Sequence, residues 1–371
     1  MKQLVNSLVI FLAVGSLCSG CKAKRAQPDN LFSTRADSLM ATFPDFSGVL
    51  LLAKGGRPIY HRAFGYQDFE TKRKVDTASV FELASVSKQF TAMIIMQLKD
   101  EGKLNFDDGI EKYLGQLPYG NITIRNLLNH TSGLPDYQAI MDEHWDKSKV
   151  AGNEDIIEYL NKYHPPKLFD PGTKYEYSNT GYVLLGSIAE RVSGEDFIER
   201  SRNRIFRSLE MNTTDIRTLS EKSVMENFAW GHIYVDEKAR YVRADSFPSS
   251  NYTIWLGNRK GPGRISSTSL DLLKWDQALY SEKIIKQKTL AEAFMPARLM
   301  NDSLSYYGFG WDIQISPNGK RIVKHNGDNP GYKTQIIRHM DENKTLIVLC
   351  NNAHRGFEKI VEQLDWLLQD E

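Results

Sequence analysis

Residues Phe81 to Asp100 read FELASVSKQFTAMIIMQLKD. The rest of the chain is organised around this stretch. A short polar tetrad, Ser85-Val86-Ser87-Lys88, opens directly into a long apolar run. From Phe90 onward the apolar residues surround nearly the whole helix, which indicates a helix that passes through the protein interior. The stretch therefore predicts a buried central helix that carries a serine and a lysine at its start.

The spacing of this serine and lysine suits nucleophilic catalysis. A serine hydroxyl is a weak nucleophile at neutral pH and needs a neighbouring base. Lys88 follows Ser85 by three residues, so both side chains lie on one face of a first helical turn. Burial favours the neutral amine of Lys88, and free N–H groups at a helix start can stabilise an oxyanion. Because S-x-x-K also occurs by chance, the motif alone is a hypothesis.

The composition is that of a folded protein. The chain has 371 residues, of which 41% are hydrophobic, and this length suits one large or two interwoven domains. Lys and Arg total 47 against 46 for Asp and Glu, giving a formal net charge of +1. No global basic field points to nucleic acid, so partners must be inferred from individual sites.

The N-terminus has the plan of an export signal. Residues 1–20 combine Lys2 with an apolar run from Leu4 to Leu17, and we expect a signal peptide here, because the run is short for a membrane span. Cys21 follows in a segment that resembles the lipobox of bacterial lipoproteins, although Cys18 stands where that pattern prefers leucine. We expect an exported lipoprotein, anchored to a membrane by lipid on Cys21, with residues 21–30 as a tether. Plain cleavage and secretion, or an uncleaved anchor, are the alternatives.

The third cysteine, Cys350, would then have no partner for a disulfide. It lies at the end of the apolar run Thr345 to Cys350. We expect it to be a small core residue.

Strand patterns occur at both ends of the chain, with helical patterns between them. After a surface helix from Leu31 to Phe43, two apolar runs around a Gly-Gly turn predict a hairpin, Gly48 to Ala53 and Ile59 to Phe64. Strands are predicted again near the C-terminus, before a final helix, at Gly308–Ile315, Arg321–His325, Thr334–His339 and Thr345–Leu349.

The fold class that follows is α+β. We expect an antiparallel sheet built from the N- and C-terminal parts, flanked by helices, with a mostly helical insertion at about residues 100–264. Residues 31–371 would form this body. A cleft between the sheet and the insertion is the natural place for a site.

A second polar cluster, Asp170 to Asn179, lies just before a predicted helix. Tyr177 could move a proton if nearby cations lowered its pKa, and Asn179 could hydrogen-bond a substrate amide or Lys88. Taken alone, a tyrosine before a helix cap is usually a packing residue, and the asparagine could be only a capping residue.

A third cluster, His325-Asn326-Gly327-Asp328, ends a predicted strand. Glycine permits close backbone approach, so a ligand could lie along this edge as an added strand. His325 would then bind or polarise the substrate. An isolated histidine is more often a structural hydrogen-bonding residue.

The order and separation of the three clusters resemble the serine β-lactamase and penicillin-binding protein family. Within it, the similarity is to the branch that holds class C β-lactamases, D-Ala-D-Ala carboxypeptidases, D-aminopeptidases and class VIII esterases. The resemblance covers about residues 45–355 and extends to three further stretches: Ile124–Leu134, Arg264–Thr268 and Tyr307–Trp311.

The resemblance implies a β-lactamase/transpeptidase-like fold and a serine hydrolase that needs no metal or organic cofactor. Ser85 would attack the acyl carbon and form an acyl-enzyme. Lys88 and Tyr177 would share the proton handling, and Asn179 would contact the amide of the acyl side chain. Water would then release the acyl group.

By the same resemblance, the oxyanion hole would use the N–H of Ser85 and that of Asp328. Class C β-lactamases usually present Lys-Thr-Gly where this chain has His325-Asn326-Gly327. A histidine is mostly neutral at pH 7, so this departure favours a peptidase or esterase over an efficient β-lactamase. Arg264 and Lys333 are candidates for a replacement charge.

The expected partner is a small-molecule, peptide or ester substrate, including peptides derived from peptidoglycan. Carboxypeptidase, D-aminopeptidase, esterase and weak β-lactamase activities are left open. A different class of function is a catalytically silent, penicillin-binding-like sensor or scaffold. That alternative predicts the loss of a chemical residue, whereas Ser85, Lys88 and Tyr177 are all present. We interpret His130 as a loop hydrogen-bonding residue rather than a metal ligand, because the histidines do not cluster at ligand spacing.

Overall fold

The computed structural model describes residues 30–316 and 318–371. The predicted signal peptide, Cys21 and the tether up to residue 29 lie outside the described residues. None of the helices in the described ranges has the length and apolar character of a membrane span.

The helices lie mainly between the first hairpin and the last long strands, as the sequence predicts. A 3-10 turn spans Ala84–Ser87, two shorter 3-10 turns span Asp236–Lys238 and Ala244–Ser246, and a π turn spans Arg202–Phe206. The α-helices are α1 (Asn30–Met40), α2 (Lys88–Asp100), α3 (Glu111–Leu114), α4 (Ile124–Leu128), α5 (Tyr137–His144), α6 (Asn153–Tyr163), α7 (Asn179–Ser193), α8 (Phe197–Ser201), α9 (Leu219–Ser223), α10 (Tyr252–Trp255), α11 (Ser269–Ala278), α12 (Gln287–Ala293) and α13 (Phe357–Asp370).

The strands fall into one large sheet and several two- or three-stranded ribbons. They are β1 (Gly48–Lys54), β2 (Arg57–Phe64), β3 (Tyr66–Asp68), β4 (Arg73–Lys74), β5 (Phe81–Glu82), β6 (Asp215–Ile216), β7 (His232–Val235), β8 (Arg240–Arg243), β9 (Ile265–Ser267), β10 (Ala297–Arg298), β11 (Leu304–Ser305), β12 (Asp312–Ile315), β13 (Arg321–Asn329), β14 (Tyr332–His339) and β15 (Lys344–Cys350).

The large sheet joins the two ends of the chain. Its strand order is β12-β13-β14-β15-β1-β2, and every neighbouring pair is antiparallel. The N-terminal hairpin meets the C-terminal strands where β1 pairs with β15, with Leu50 opposite Val348. The predicted fold class, an antiparallel sheet assembled from both ends and flanked by helices, is confirmed.

Alternate residues of the central strands feed two separate cores, because successive side chains of a strand point to opposite faces. Val49 and Leu51 pack in the core that contains α2, whereas Leu50 and Leu52 pack on the opposite face, under α1 and α13. This explains why β1 and β15 read as continuous apolar runs. Cys350 is buried in the second core, as predicted, and burial raises the pKa of its thiol to about 11.

Helix α2 crosses the interior of the molecule. All of its residues from Lys88 to Leu98 are buried, and it packs against α7 of the insertion. The regular helix begins at Lys88, one turn later than the tetrad suggests, because Ala84–Ser87 form a 3-10 turn. Side chains three residues apart eclipse each other in a 3-10 turn, so Ser85 and Lys88 still share a face.

Two strand boundaries differ from the sequence expectation. The predicted strand Gly308–Ile315 is regular only as β12, because the preceding chain turns at Gly310, which has a φ of +80°. A Cβ at Gly310 would lie 2.9 Å from the backbone of Gln89, so this loop packs directly on the start of α2. In the other direction, β13 runs four residues past His325, to Asn329. The insertion is mostly helical but also contains the short strands β6, β7 and β8.

A buried ion pair joins the sheet to the helical layer. The guanidinium of Arg338, on β14, donates to the carboxylate of Asp276 on α11 and, at 3.1 Å, to the carbonyl of the same residue. Thr345 on β15 donates to this carboxylate at 2.8 Å. Both charges are almost fully buried, so each depends on the other for its stabilisation.

Candidate active site

Ser85 lies in the 3-10 turn between β5 and α2. Ala84, directly before it, has a φ of +49°, in the left-handed region, so the chain turns sharply to present the serine. Thr334 of β14 donates to the carbonyl of Leu83 at 2.8 Å, which fixes this turn to the sheet. Ser85 is partly exposed, whereas Ala84 and Val86 are buried. Its hydroxyl is therefore the part of the turn that a substrate can reach.

The amine of Lys88 is the centre of the polar network. Its Nζ lies 3.0 Å from Ser85 Oγ, 2.8 Å from Asn179 Oδ1 and 2.9 Å from the carbonyl oxygen of Pro262. Asn179 begins α7, and Pro262 lies in the Gly261-Pro262-Gly263 loop. Three distant parts of the chain thus meet at one nitrogen.

The protonation state of Lys88 follows from its surroundings. The residue has 0% exposure, and no carboxylate of the described residues forms an ion pair with it. Burial holds the pKa of the amine well below its ordinary value, and the positive charge of Arg259 lowers it further. A neutral amine has two N–H groups and one lone pair. Because the amide oxygen of Asn179 and the carbonyl of Pro262 can only accept, the lone pair is left for the hydroxyl of Ser85.

The segment that carries Tyr177 and Asn179 is held from both sides. Ser178 caps α7 by accepting from Gly181 N at 3.2 Å, so Asn179 is not the capping residue and its side chain is free to meet Lys88. The backbone N–H of Ser178 donates to Nδ1 of His130 at 3.1 Å. His130 is therefore a buried hydrogen-bonding residue that positions the loop, and the described residues contain no group of three or more His, Cys, Asp or Glu placed to hold a metal.

Tyr177 lies over the amine. Its ring centroid is 4.8 Å from Lys88 Nζ, and its phenol is close enough to Ser85 for a hydrogen bond. The structure does not support the expectation that neighbouring cations lower the pKa of this phenol. Although 38% of the residue is exposed, burial of the hydroxyl raises its pKa above the ordinary value, and the hydrogen bond with Ser85 offsets this only in part. The phenol is consequently protonated at neutral pH.

His325 does not present its ring to the cleft. It is 1% exposed, with Nε2 2.8 Å from the hydroxyl of Tyr307 and Nδ1 2.6 Å from the carbonyl oxygen of Asn326. Burial and the proximity of Lys88 lower the pKa of the imidazole to about 3, so the ring is neutral, as the sequence predicts. The idea that His325 binds or polarises the substrate needs correction, because both ring nitrogens are engaged inside the protein.

Gly327 is where the sheet approaches the serine. A Cβ at this position would lie 2.2 Å from Thr334 Oγ1 and 2.3 Å from the carbonyl oxygen of Leu83, so only glycine fits. Among the described strands, β12 pairs with β13 only as far as Lys324, which leaves the outer edge of β13 unpaired beyond that residue. The side chain of Asp328 lies in the groove under α13, so its backbone is the part available on the serine side.

The two candidate replacement charges lie elsewhere. Lys333 pairs with Glu358 of α13 at 2.6 Å, away from the serine face of the sheet. Arg264 is buried and donates to the carbonyl of Arg217 at 2.7 Å. Neither cation takes the place of the lysine of a Lys-Thr-Gly motif.

Three participants were not singled out by sequence reasoning. Pro262 contributes only a carbonyl, Arg259 acts through its charge, and Tyr307 holds the ring of His325. The Gly-Pro-Gly sequence marks Pro262 as a loop residue, and Tyr307 begins the stretch Tyr307–Trp311 that resembles the family. No sequence signal distinguishes Arg259 from other arginines.

Comparison with known proteins identifies the family of the chain. The sequence model of the beta-lactamase family matches residues 36–369. The chain belongs to the beta-lactamase family. Penicillin-binding protein 4* of Bacillus subtilis (strain 168) is 41% identical over 330 residues, which cover 88% of this chain and 72% of the relative.

Solved structures of this beta-lactamase family fold extend the similarity. The octameric penicillin-binding protein homologue of Pyrococcus abyssi superimposes with a TM-score of 0.77 at 26% identity, covering 92% of this chain and 77% of that one. A D-amino acid amidase of Ochrobactrum anthropi SV3 gives a TM-score of 0.72 at 25% identity, covering 92% and 97% of the two chains. These relatives support a serine hydrolase of the penicillin-binding and D-amino acid amidase type.

Proposed function

We propose that this beta-lactamase family member is a serine hydrolase that cleaves peptide or amide bonds, and simple esters, through an acyl-enzyme on Ser85. Its similarity to a D-amino acid amidase and to penicillin-binding proteins favours substrates with a D-amino acid at the cleaved bond. Peptides derived from peptidoglycan belong to this class. The observation that carries the proposal is the buried amine of Lys88, whose lone pair is left for the hydroxyl of Ser85.

In the first step, Ser85 Oγ attacks the carbonyl carbon of the substrate while Lys88 takes the hydroxyl proton. The attack converts the carbonyl into a tetrahedral oxyanion. The backbone N–H groups of Ser85 and Asp328 would stabilise this charge, and such donors typically contribute about 3–4 kcal/mol each. Since the unpaired edge of β13 faces the same space, the substrate would lie along it as an added strand.

In the second step, the tetrahedral intermediate expels its leaving group. The phenol of Tyr177 is protonated and close to Ser85, so it donates its proton to the departing nitrogen or oxygen and recovers one from the ammonium of Lys88. The acyl group remains on Ser85, and the amine of Lys88 is neutral again. A water molecule then gives a proton to this amine and attacks the ester. When the second tetrahedral intermediate collapses, the Ser85 oxygen departs and takes this proton back from Lys88, which releases the acid and restores both residues.

Penicillin recognition without rapid hydrolysis is a second candidate, and one observation favours it. The neutral, buried ring of His325 offers no permanent charge for the carboxylate of a β-lactam. We therefore expect slow acylation by β-lactams and weak β-lactamase activity at most. A catalytically silent sensor or scaffold is the alternative that the experiment below must separate.

We also propose that the protein is exported and anchored to a membrane through lipid on Cys21, so that it faces the periplasm or the cell exterior. The support is the residue order of the N-terminal segment, a short apolar run followed by cysteine. Metabolic labelling with a palmitate analogue tests this. Incorporation that disappears in Cys21→Ala supports the anchor, and export without label means that the signal is simply cleaved.

The test of the catalytic proposal is a substrate panel of 4-nitrophenyl acetate and butyrate, D-amino-acid amides, D-Ala-D-Ala peptides and nitrocefin. Wild-type protein should turn over the esters and at least one D-configured amide, with nitrocefin slow. Ser85→Ala should abolish turnover, whereas Ser208→Ala, which removes an exposed hydroxyl, should not change it. Turnover that survives in Ser85→Ala, or its absence in folded wild-type protein, would contradict the proposal.

A further inference from the structure

A cavity of about 380 Å³ lies beside the chain segments that lead into the Ser85 turn and along the end of β13. Its wall includes Glu82, which precedes Ser85 by three residues, and Asn329, which follows Gly327 by two. Much of the rest of the wall is apolar, with contributions from Leu219, Phe228, Trp230, Ile254 and Tyr332. The cavity is thus bordered by residues of the segment that leads to the nucleophile and of the segment that ends β13.

The acidic residues in this wall already have cationic partners. Glu82 forms an ion pair with Lys222, and Asp245 forms one with Arg243 at 2.7 Å. Each of these carboxylates thus has one cation in direct contact, and Glu82 also lies near enough to Arg264 to stabilise its charge in part.

Two buried arginines in the same wall have no such partner. Arg259 and Arg264 are 8% and 9% exposed, and among the described residues neither has a carboxylate within ion-pair distance. Arg259 donates to the hydroxyl of Tyr137, and Arg264 donates to a backbone carbonyl. One buried N–H-bearing atom of each, Nε of Arg259 and Nη1 of Arg264, has no hydrogen-bond acceptor in the described chain.

Two buried guanidinium groups without paired carboxylates destabilise the fold unless an anion binds beside them. A guanidinium remains charged in proteins, and an uncompensated buried charge destabilises the fold. Because the apolar walls of a cavity focus the field of the charges beside it, these two arginines create a positive potential in this cavity.

The position of Tyr177 indicates which part of the substrate enters the cavity. As the proton donor to the leaving group, Tyr177 marks the side on which that group departs. Its ring centroid lies 6.3 Å from that of His325 and 6.2 Å from that of Tyr307, so the leaving group is at the His325 end of the β13 edge. With Tyr177 in that role, the acyl part would extend the opposite way, toward Asn329 in the cavity wall.

We propose that Arg259 and Arg264 form a subsite for a carboxylate on the acyl part of the substrate. The preferred acyl group would be a short aliphatic chain that packs against the apolar wall and ends in an acid, such as a glutaryl or γ-glutamyl group. The subsite rests on the proposed role of Ser85, and it adds a substrate class to that role.

The test compares two esters that differ only in charge, 4-nitrophenyl hydrogen glutarate and its methyl ester, after subtraction of spontaneous hydrolysis. Wild-type protein should prefer the acid by about tenfold or more in kcat/KM, the effect of one or two charge-assisted hydrogen bonds. Arg264→Gln and Arg259→Gln should each bring the ratio of the two rates toward one. If Arg264→Gln disturbs folding, Arg264→Lys is measured instead. Because this variant keeps the charge, it should retain part of the preference. Arg355→Gln removes an exposed charge and should keep the full ratio.

A binding measurement separates this proposal from the catalytic one. Ser85→Ala protein is titrated calorimetrically with glutaranilic acid and with its methyl ester. At least tenfold tighter binding of the acid, lost on adding Arg264→Gln, supports the subsite even if no ester is hydrolysed. Equal affinity for the two ligands, or equal kcat/KM for the two esters, would overturn the subsite and leave the role of Ser85 standing.

Discussion

Asn179→Asp places a carboxylate where an amide oxygen now lies 2.8 Å from Lys88 Nζ. The change keeps the size of the side chain and its hydrogen bond, but it adds a negative charge beside a buried amine. Coulomb's law at an effective dielectric of 20 gives an attraction of roughly 6 kcal/mol at this distance, and burial of the new charge offsets part of it. Opposite charges this close commonly raise the pKa of an amine by about 1–3 units.

The consequence is a shift in the pH dependence of catalysis. Only the neutral amine can accept the proton of Ser85, so kcat/KM rises with pH through the pKa of Lys88. In the wild-type protein burial lowers that pKa, and the acidic limb of the profile lies correspondingly low. In Asn179→Asp the limb should move to higher pH by about 1–3 units. At a pH below the limb, kcat/KM should therefore be about 10- to 1000-fold lower than in the wild-type protein.

The assay is the profile of kcat/KM for 4-nitrophenyl acetate between pH 5 and 10. Asn203→Asp is the matched control, because it adds the same charge to an exposed side chain that already accepts from Arg207. That control should leave the limb in place. A profile of folded Asn179→Asp that coincides with the wild-type profile would refute the assignment of Lys88 as the base.

Three further substitutions test other parts of the account. Tyr177→Phe removes the proposed proton donor and should lower kcat by about 100- to 10,000-fold with the melting temperature unchanged; near-normal turnover of an amide substrate would exclude that role. Gly327→Ala forces a Cβ into the contact between β13 and the turn before Ser85 and should destabilise the protein by about 1–3 kcal/mol in urea unfolding, whereas Gly120→Ala, where a Cβ meets nothing within 4 Å, should be nearly neutral. Arg338→Met leaves the carboxylate of Asp276 buried without its partner and should cost about 3–5 kcal/mol by the same measurement; a loss below 1 kcal/mol would mean that the pair contributes little.

The elements that local pattern determines were predictable. The long apolar run of α2 and the two apolar runs around the Gly-Gly turn of the β1–β2 hairpin identify these elements, and the sheet follows from strand signals at both ends of the chain. The apolar and aromatic residues of Gly308–Ile315 predict one long strand. Close packing of Gly310 against α2 bends it instead, and sequence pattern alone does not contain that contact.

The site was predictable only in part, for the same reason. Ser85 and Lys88 are three residues apart, so helical geometry places them together. Contact of Asn179 with Lys88 is one of three alternatives, beside contact with a substrate amide and helix capping, and only the tertiary structure distinguishes them. The burial of His325 could not be foreseen, because it depends on a hydrogen bond with Tyr307 across the fold.

The most direct test of the central claim is the mass of the protein after incubation with a fluorescent penicillin, followed by peptide mapping. If Ser85 is a nucleophile activated by Lys88, the intact mass should increase by one penicilloyl group, the label should map to the peptide that contains Ser85, and Lys88→Ala should slow its appearance strongly. Folded wild-type protein that remains unlabelled by this reagent and by a fluorophosphonate, or that carries the label on another residue, would contradict the account.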